Sequence, residues 1–246
     1  MKFIPLVIGL LLVHTLSAQE APEQQQKAWL KTLNKGNDLI DFYPYNCGLL
    51  WKDSLYIDRA VIDQKYQAWK KAAKKKIKYT QLGVYEIRPN QKFILGKYTS
   101  GKSKSYLSAI GWSLKDDFWQ KELEVLYEMD ENTANNLDHA GISKALQQWE
   151  DFSNAHQPDR IAEQLCLPNG YYFNNGRKYV GPEIKEIYSY MNNPKWKIKL
   201  ASDKVAFVDE SLAYDIGTYQ STGKGQYILI WKKVDGEWRI LLDFNF

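Results

Sequence analysis

The chain repeats itself, and the repeat decides what it can fold into. GKYTSGKSKSYLSAIGWSLKDDFW, from Gly96, lies opposite GTYQSTGKGQYILIWKKVDGEW, from Gly217. Both open Gly-x-Tyr-x-Ser, so Gly96 and Tyr98 correspond to Gly217 and Tyr219. Both end on a Trp-x6-Trp pair, first Trp112 and Trp119, then Trp231 and Trp238. Upstream, GLLWKDSLYIDRAVIDQKYQAW from Gly48 lies opposite GYYFNNGRKYVGPEIKEIYSYM from Gly170, and Trp29 and Trp149 sit earlier still in matching helical stretches. A chain of 246 residues built this way is two copies of a unit of about 110 residues, an ordinary domain size.

Each copy has a readable order. A helix comes first, expected over roughly residues 23–39 and 142–156, followed by a short strand, a second helix and three or four strands. Val-Asp-Gly-Glu-Trp, Val234 to Trp238, sets an Asp-Gly turn between two apolar, aromatic-rich runs, which predicts a hairpin. The stretch Gly96 to Ser103 satisfies the phosphate-loop pattern G-x-x-x-x-G-K-[ST]. That pattern binds phosphate only where a helix opens at its Lys-Ser. Here SYLSAIGW follows and reads as strand, and the second copy has lost the pattern, so no nucleotide is expected.

With helix, strand, helix and a long antiparallel sheet in that order, the chain resembles the nuclear transport factor 2-like superfamily, which includes ketosteroid-isomerase-like and SnoaL-like domains. The strongest local match is the ending Y-x-x-x-W-K-K-x-D-G-x-W-R-I-x-x-D, carried by Tyr227, Trp231, Asp235, Gly236, Trp238 and Asp243. The resemblance covers nearly all of the mature chain, and its motifs are structural. It implies an α+β fold of two tandem cone-shaped domains, each with helices packed in a curved antiparallel sheet that leaves a pocket at its open end. The boundaries are residues 22–130 for a divergent first domain, 131–140 for an Asn-rich linker and 141–246 for the second. Such domains commonly pair, so the first domain is expected to pack on the second as an intrachain pseudo-dimer.

Enzymes of this superfamily often use an Asp base with Tyr and Asp oxyanion donors, in which apolar walls poise the carboxyl groups. That set is not carried over. The first strand of the second copy has Asn174 and Asn175 where the base would lie, and the first copy has only Asp53, beside Lys52 in a turn. The best remaining acids are Asp215 and Asp243, each interrupting an apolar strand. Strand alternation groups Ala213, Asp215, Gly217 and Tyr219 on one face, which either lines a cavity or meets solvent or the other domain. The same alternation groups Asp243 with Arg239 as an ion pair. The pocket candidates are Trp149, Tyr172, Trp196, Asp215, Tyr219 and Asp243. Trp149, Tyr172 and Trp196 read more readily as core anchors than as ligand-stacking groups.

Other chemistries have little material. His139 and His156 are the only histidines after residue 14, with no metal-ligand spacing and no nucleophile partner, so neither a metal nor a cofactor is expected. The run AWKKAAKKKIKY, Ala68 to Tyr79, carries six lysines and reads as a solvated helix end, with contact to an acidic glycan, an outer leaflet or a partner as the alternative. Formal net charge is +4, too mild to imply nucleic acid. Cys47 and Cys166 either pair or stay buried thiols.

MKFIPLVIGLLLVHTLSAQE reads as a signal peptide with cleavage after Ala18, and no Cys follows to carry a lipid. A periplasmic or secreted protein without stable membrane insertion is expected. Two functions remain open. One is a non-enzymatic module that holds a small hydrophobic ligand in an aromatic pocket or acts as a scaffold. The other is an isomerase-, cyclase- or hydrolase-type enzyme using Asp215.

Overall fold

A computed structural model describes residues 21–100, 104–129 and 137–246. The first unit contains α1 (Pro22–Lys35), β1 (Gly48–Trp51), β2 (Ser54–Tyr56), α2 (Arg59–Ala73), β3 (Ile77–Arg88), β4 (Gln91–Ser100), β5 (Lys104–Lys115) and β6 (Phe118–Glu128). The second contains α3 (His139–Asn154), α4 (Pro158–Arg160), β7 (Cys166–Asn174), β8 (Arg177–Val180), α5 (Glu183–Ile187), β9 (Lys199–Asp209), β10 (Leu212–Gln220), β11 (Lys224–Val234) and β12 (Glu237–Asn245). The expected signal peptide and most of the expected linker lie outside the described residues.

Two six-stranded sheets result, ordered β2-β1-β6-β5-β4-β3 and β8-β7-β12-β11-β10-β9. The same order twice is an α+β architecture of two tandem units, as the repeat predicts. The sheets are mixed rather than wholly antiparallel, because β1 pairs with β6 and β7 with β12 in parallel. In each unit a hairpin strand, a helical segment and three further strands separate the two partners, a connection long enough for the chain to return beside the first strand in the same direction.

Local chemistry sets the element ends. α1 stops at Lys35, short of the expected residue 39, because Gly36 turns left-handed at φ 73° and the chain caps the carbonyls of Thr32 and Leu33. The β11–β12 turn places Asp235 and Gly236 at φ 53° and 83°, the two positive angles that a tight hairpin needs. The phosphate-loop look-alike runs along β4 to Ser100, and β5 begins at Lys104. Its first glycine has a packing reason. A Cβ at Gly96 would meet the Tyr79 hydroxyl at 2.1 Å, and one at Gly217 would meet the Tyr227 hydroxyl at 2.3 Å.

Both faces of the central strands of each sheet are buried, while the edge strands β3 and β9 are largely exposed. In the first unit Trp29, Leu33, Ile62, Tyr66 and Trp69 from the helices meet Leu49, Tyr98, Tyr106 and Leu126 from the sheet. In the second Ile142, Trp149, Ile184 and Tyr188 meet Ala213, Leu229, Trp231 and Ile240. The opposite sheet faces share one further core, with Phe93, Leu95, Leu107, Leu123 and Val125 from the first unit and Phe173, Tyr214, Ile216, Ile228, Ile230, Leu242 and Phe244 from the second. Polar contacts flank it. Tyr214 donates to the Leu107 carbonyl at 3.1 Å, and Lys232 pairs with Asp53. Asp53 sits in the β1–β2 turn at φ 59° and accepts from Tyr127 at 2.7 Å. Cys47 and Cys166 are free thiols in separate cores.

Candidate functional site

β12 carries the residue that organises the site, and a bulge decides which one. Ile230 pairs with Leu242 and Trp231 with Ile240, so Leu241 is an extra residue in β12. A bulge reverses the phase of alternation beyond it. Ile240 and Asp243, three residues apart, therefore both face the helices, while Leu242 and Phe244 face the other unit. Arg239 and Asp243 fall out of phase, and the expected ion pair gives way to a different contact. Tyr188 donates its hydroxyl to Asp243 in a short hydrogen bond.

Asp243 lines a cavity of about 240 Å³. α3 supplies Trp149, the turn after α5 supplies Tyr190, and the segment before β9 supplies Trp196 and Ile198. Leu200, Tyr219, Tyr227 and Leu229 come from the sheet. Tyr190 and Trp196 meet edge to face at 4.8 Å, and the Trp196 indole N–H donates to Ser153 at 2.9 Å. Ser221, Thr222 and the partly exposed Tyr190 stand at the mouth.

The polar groups are few. Burial pushes the Asp243 carboxyl up to about 6, against the lowering effect of hydrogen bonds from Tyr188 and Asn245. Tyr219 donates to the Phe246 carbonyl at 2.9 Å. The Trp149 indole N–H and the Tyr227 hydroxyl are buried without a hydrogen-bond partner among the described residues. Buried donors are rarely left so.

Trp149, Trp196, Tyr219 and Asp243 meet at this cavity, and Tyr172 and Asp215 stand behind its wall. Tyr172 packs edge to face on Tyr188 at 5.7 Å, and its hydroxyl accepts from Asn245 at 3.4 Å. Asp215 is fully buried, accepts from Ser202 at 2.5 Å and from the Trp231 indole at 3.4 Å, and is pushed up to about 6 by burial. Tyr188 and Tyr190 escaped the sequence reading, and Tyr227 entered it only as a residue of the matching ending. Tyr188 could have been found from the repeat, since its counterpart Tyr66 falls in the paired segment.

The first unit has the same frame with different contents. Its β6 bulges at Glu122, where Gly111 pairs with Leu123 and Trp112 with Lys121, so Lys121 and Glu124 face the helices as Ile240 and Asp243 do. Glu124 is fully buried and accepts from Tyr66 at 2.5 Å, from Tyr98 and Ser108 at 2.9 Å each, and from Lys121 at 2.9 Å. The Lys121 ammonium lies 3.4 Å over the Trp29 ring. Burial pushes its pKa down to about 8, outweighing the pull of Glu124. Outside this core, α1 and the end of α2 form a groove lined by Lys27, Lys31, Lys35, Lys70 and Lys74 to Lys76.

No family model and no curated protein matches the chain. Solved structures do. An NTF-2 like protein of unknown function from Shewanella oneidensis MR-1 is 18% identical with a TM-score of 0.38, over 43% of this chain and 96% of that one. An NTF2-like protein of unknown function from Shewanella baltica OS155 is 15% identical with a TM-score of 0.38, over 46% and 97%. A protein from Novosphingobium aromaticivorans DSM 12444, provisionally named a scytalone dehydratase, is 16% identical with a TM-score of 0.38, over 43% and 80%. Each likeness spans less than half of this chain and concerns the fold alone.

Proposed function

We propose that the second unit is a small-molecule-binding domain and that the first is its scaffold, the two forming an intrachain pseudo-dimer. The observation that carries this reading is the aromatic cavity with Asp243 in its wall. At about 240 Å³ it is smaller than most drug-sized pockets, so the ligand is compact. In the first unit Lys121 fills the corresponding interior, which suits a scaffold. The shared core of the two sheets supports the pseudo-dimer. Export rests on residues 1–18, and a mature N-terminus at Gln19 is the result that N-terminal sequencing is expected to give.

Native mass spectrometry of the mature chain tests the binding reading. A reproducible excess mass, released on denaturation and lost in Trp149→Ala, is expected. A bare mass in every preparation, with no quenching of tryptophan fluorescence by any of a panel of small aromatic compounds, counts against it. A second reading is favoured by the raised pKa of Asp243, because a carboxyl that titrates near neutrality suits proton transfer. In that reading Asp243, rather than Asp215, is the acid–base group, and the bound molecule returns altered.

A further inference from the structure

The two units hold the same set of groups at the same places, and only one of them contains a cation. Trp29, Tyr66, Tyr98 and Glu124 surround the Lys121 ammonium in the first unit. Their counterparts are Trp149, Tyr188, Tyr219 and Asp243. The correspondence follows from strand register as well as from the repeat. Glu124 faces Ile110 across the neighbouring strand, and Asp243 faces Leu229 at the matching position. At the position of Lys121 stands Ile240, buried on the same face. Three of the four counterparts, Trp149, Tyr219 and Asp243, line the cavity.

We infer that the cavity of the second unit binds a small organic ammonium ion, seated between the Trp149 ring and the Asp243 carboxylate as Lys121 is seated between Trp29 and Glu124. This deepens the binding reading above and rests on it. The chemistry of the walls agrees. An ammonium over an indole face gains from the ring quadrupole, more so where water is excluded. A buried carboxylate gains from a hydrogen-bonded cation far more than an exposed one does. Asp is one methylene shorter than Glu, so Asp243 stands further back and leaves room for a ligand head. Tyr219 turns its hydroxyl to Phe246 instead of to the acid, which opens the same space. Tyr227 takes the place of Ser108, whose hydroxyl donates to Glu124 in the first unit, so the second unit's acid lacks that donor. The apolar remainder of the ligand lies against Tyr190, Trp196 and Leu200, toward the mouth.

The probes are n-butylamine, which is the lysine side chain freed of its backbone, and phenethylamine. Each is compared with its isosteric alcohol, 1-butanol or 2-phenylethanol, by calorimetric titration of the mature chain. Each amine is expected to bind at least tenfold more tightly than its alcohol, and Asp243→Asn is expected to abolish that preference. Ile240→Lys supplies the cation from within. It is expected to fold, to raise the melting temperature and to exclude both amines. Equal binding of amines and alcohols overturns the inference and leaves a pocket for neutral ligands. Failure of all four compounds at tens of millimolar overturns the inference and the binding reading together. An Ile240→Lys chain that does not fold, while the Ile240→Leu chain does, also overturns it, because the space would then refuse an ammonium.

Discussion

Asp215 and Asp243 hold their protons more tightly in the folded protein than an unfolded chain does. Burial pushes both carboxyls up to about 6, against about 3.9 when exposed. For an acid shifted upward, the stabilising contribution is complete below the unfolded pKa and is lost as pH rises through the folded one. Stability from these two groups therefore falls between about pH 4 and pH 6 and is flat above. Asp215→Asn preserves the shape of the side chain and removes one share of that fall. Urea unfolding is expected to show the variant gaining on the parent by about 2 kcal/mol between pH 4.5 and pH 7.5. Parallel pH profiles would refute the assignment. Lys121 poses the opposite case. It is fully buried with Glu124, and removing one member of a buried pair strands the other charge. Lys121→Met is expected to cost about 3–5 kcal/mol, measured by the same denaturation.

At the scale of elements, the bulges in β6 and β12 do the most. One extra residue in each strand brings an acid and its neighbour three positions back onto the helix face. Simple alternation in the sequence pairs Asp243 with Arg239 instead, because nothing local in Trp-Arg-Ile-Leu-Leu-Asp announces the inserted residue. The lysine stripe is a second element-level feature. Lys27, Lys31 and Lys35 follow one another at four-residue spacing along α1, all exposed, and face Lys70 and Lys74 across the groove. Like charges at that spacing oppose the helix. Lys31→Glu is expected to raise stability by about 0.5 kcal/mol at low salt, with the gain shrinking in 0.5 M sodium chloride. An unchanged melting temperature at low salt would mean that the stripe carries no strain.

The whole molecule is held by the core that the two sheets share. Phe173, Tyr214, Ile216, Ile228, Ile230, Leu242 and Phe244 would form a wide apolar face if the second unit stood alone. Patches of that kind drive association. Residues 137–246 expressed alone are expected to aggregate or to dimerise, whereas the full mature chain is expected to sediment as a monomer. Analytical ultracentrifugation of both reads this directly, and an obligate dimer of the full chain would count against the intrachain pseudo-dimer. Phe244→Ala, at the centre of the shared core, is expected to cost about 3–5 kcal/mol and to destabilise both units together.

The amino-acid sequence alone determined the repeat, the order of elements in each unit and the Asp235-Gly236 turn. These depend on residue type and on neighbours close along the chain, where propensity and turn chemistry act. It also brought Trp149, Trp196, Tyr219 and Asp243 forward as pocket candidates, through aromatic side chains on helix and strand faces and an acid in an apolar strand. Tertiary structure decided the rest. Tyr188 reaches Asp243 across 55 residues, and Lys121 sits among Trp29, Tyr66 and Glu124 at the position that Ile240 takes in the other unit. Asp215 is turned behind the cavity wall toward Ser202, and a single bulge sets which acid faces inward. Each of these depends on strand phase and on contacts between distant segments, and such contacts exist only once the sheet has closed over its helices.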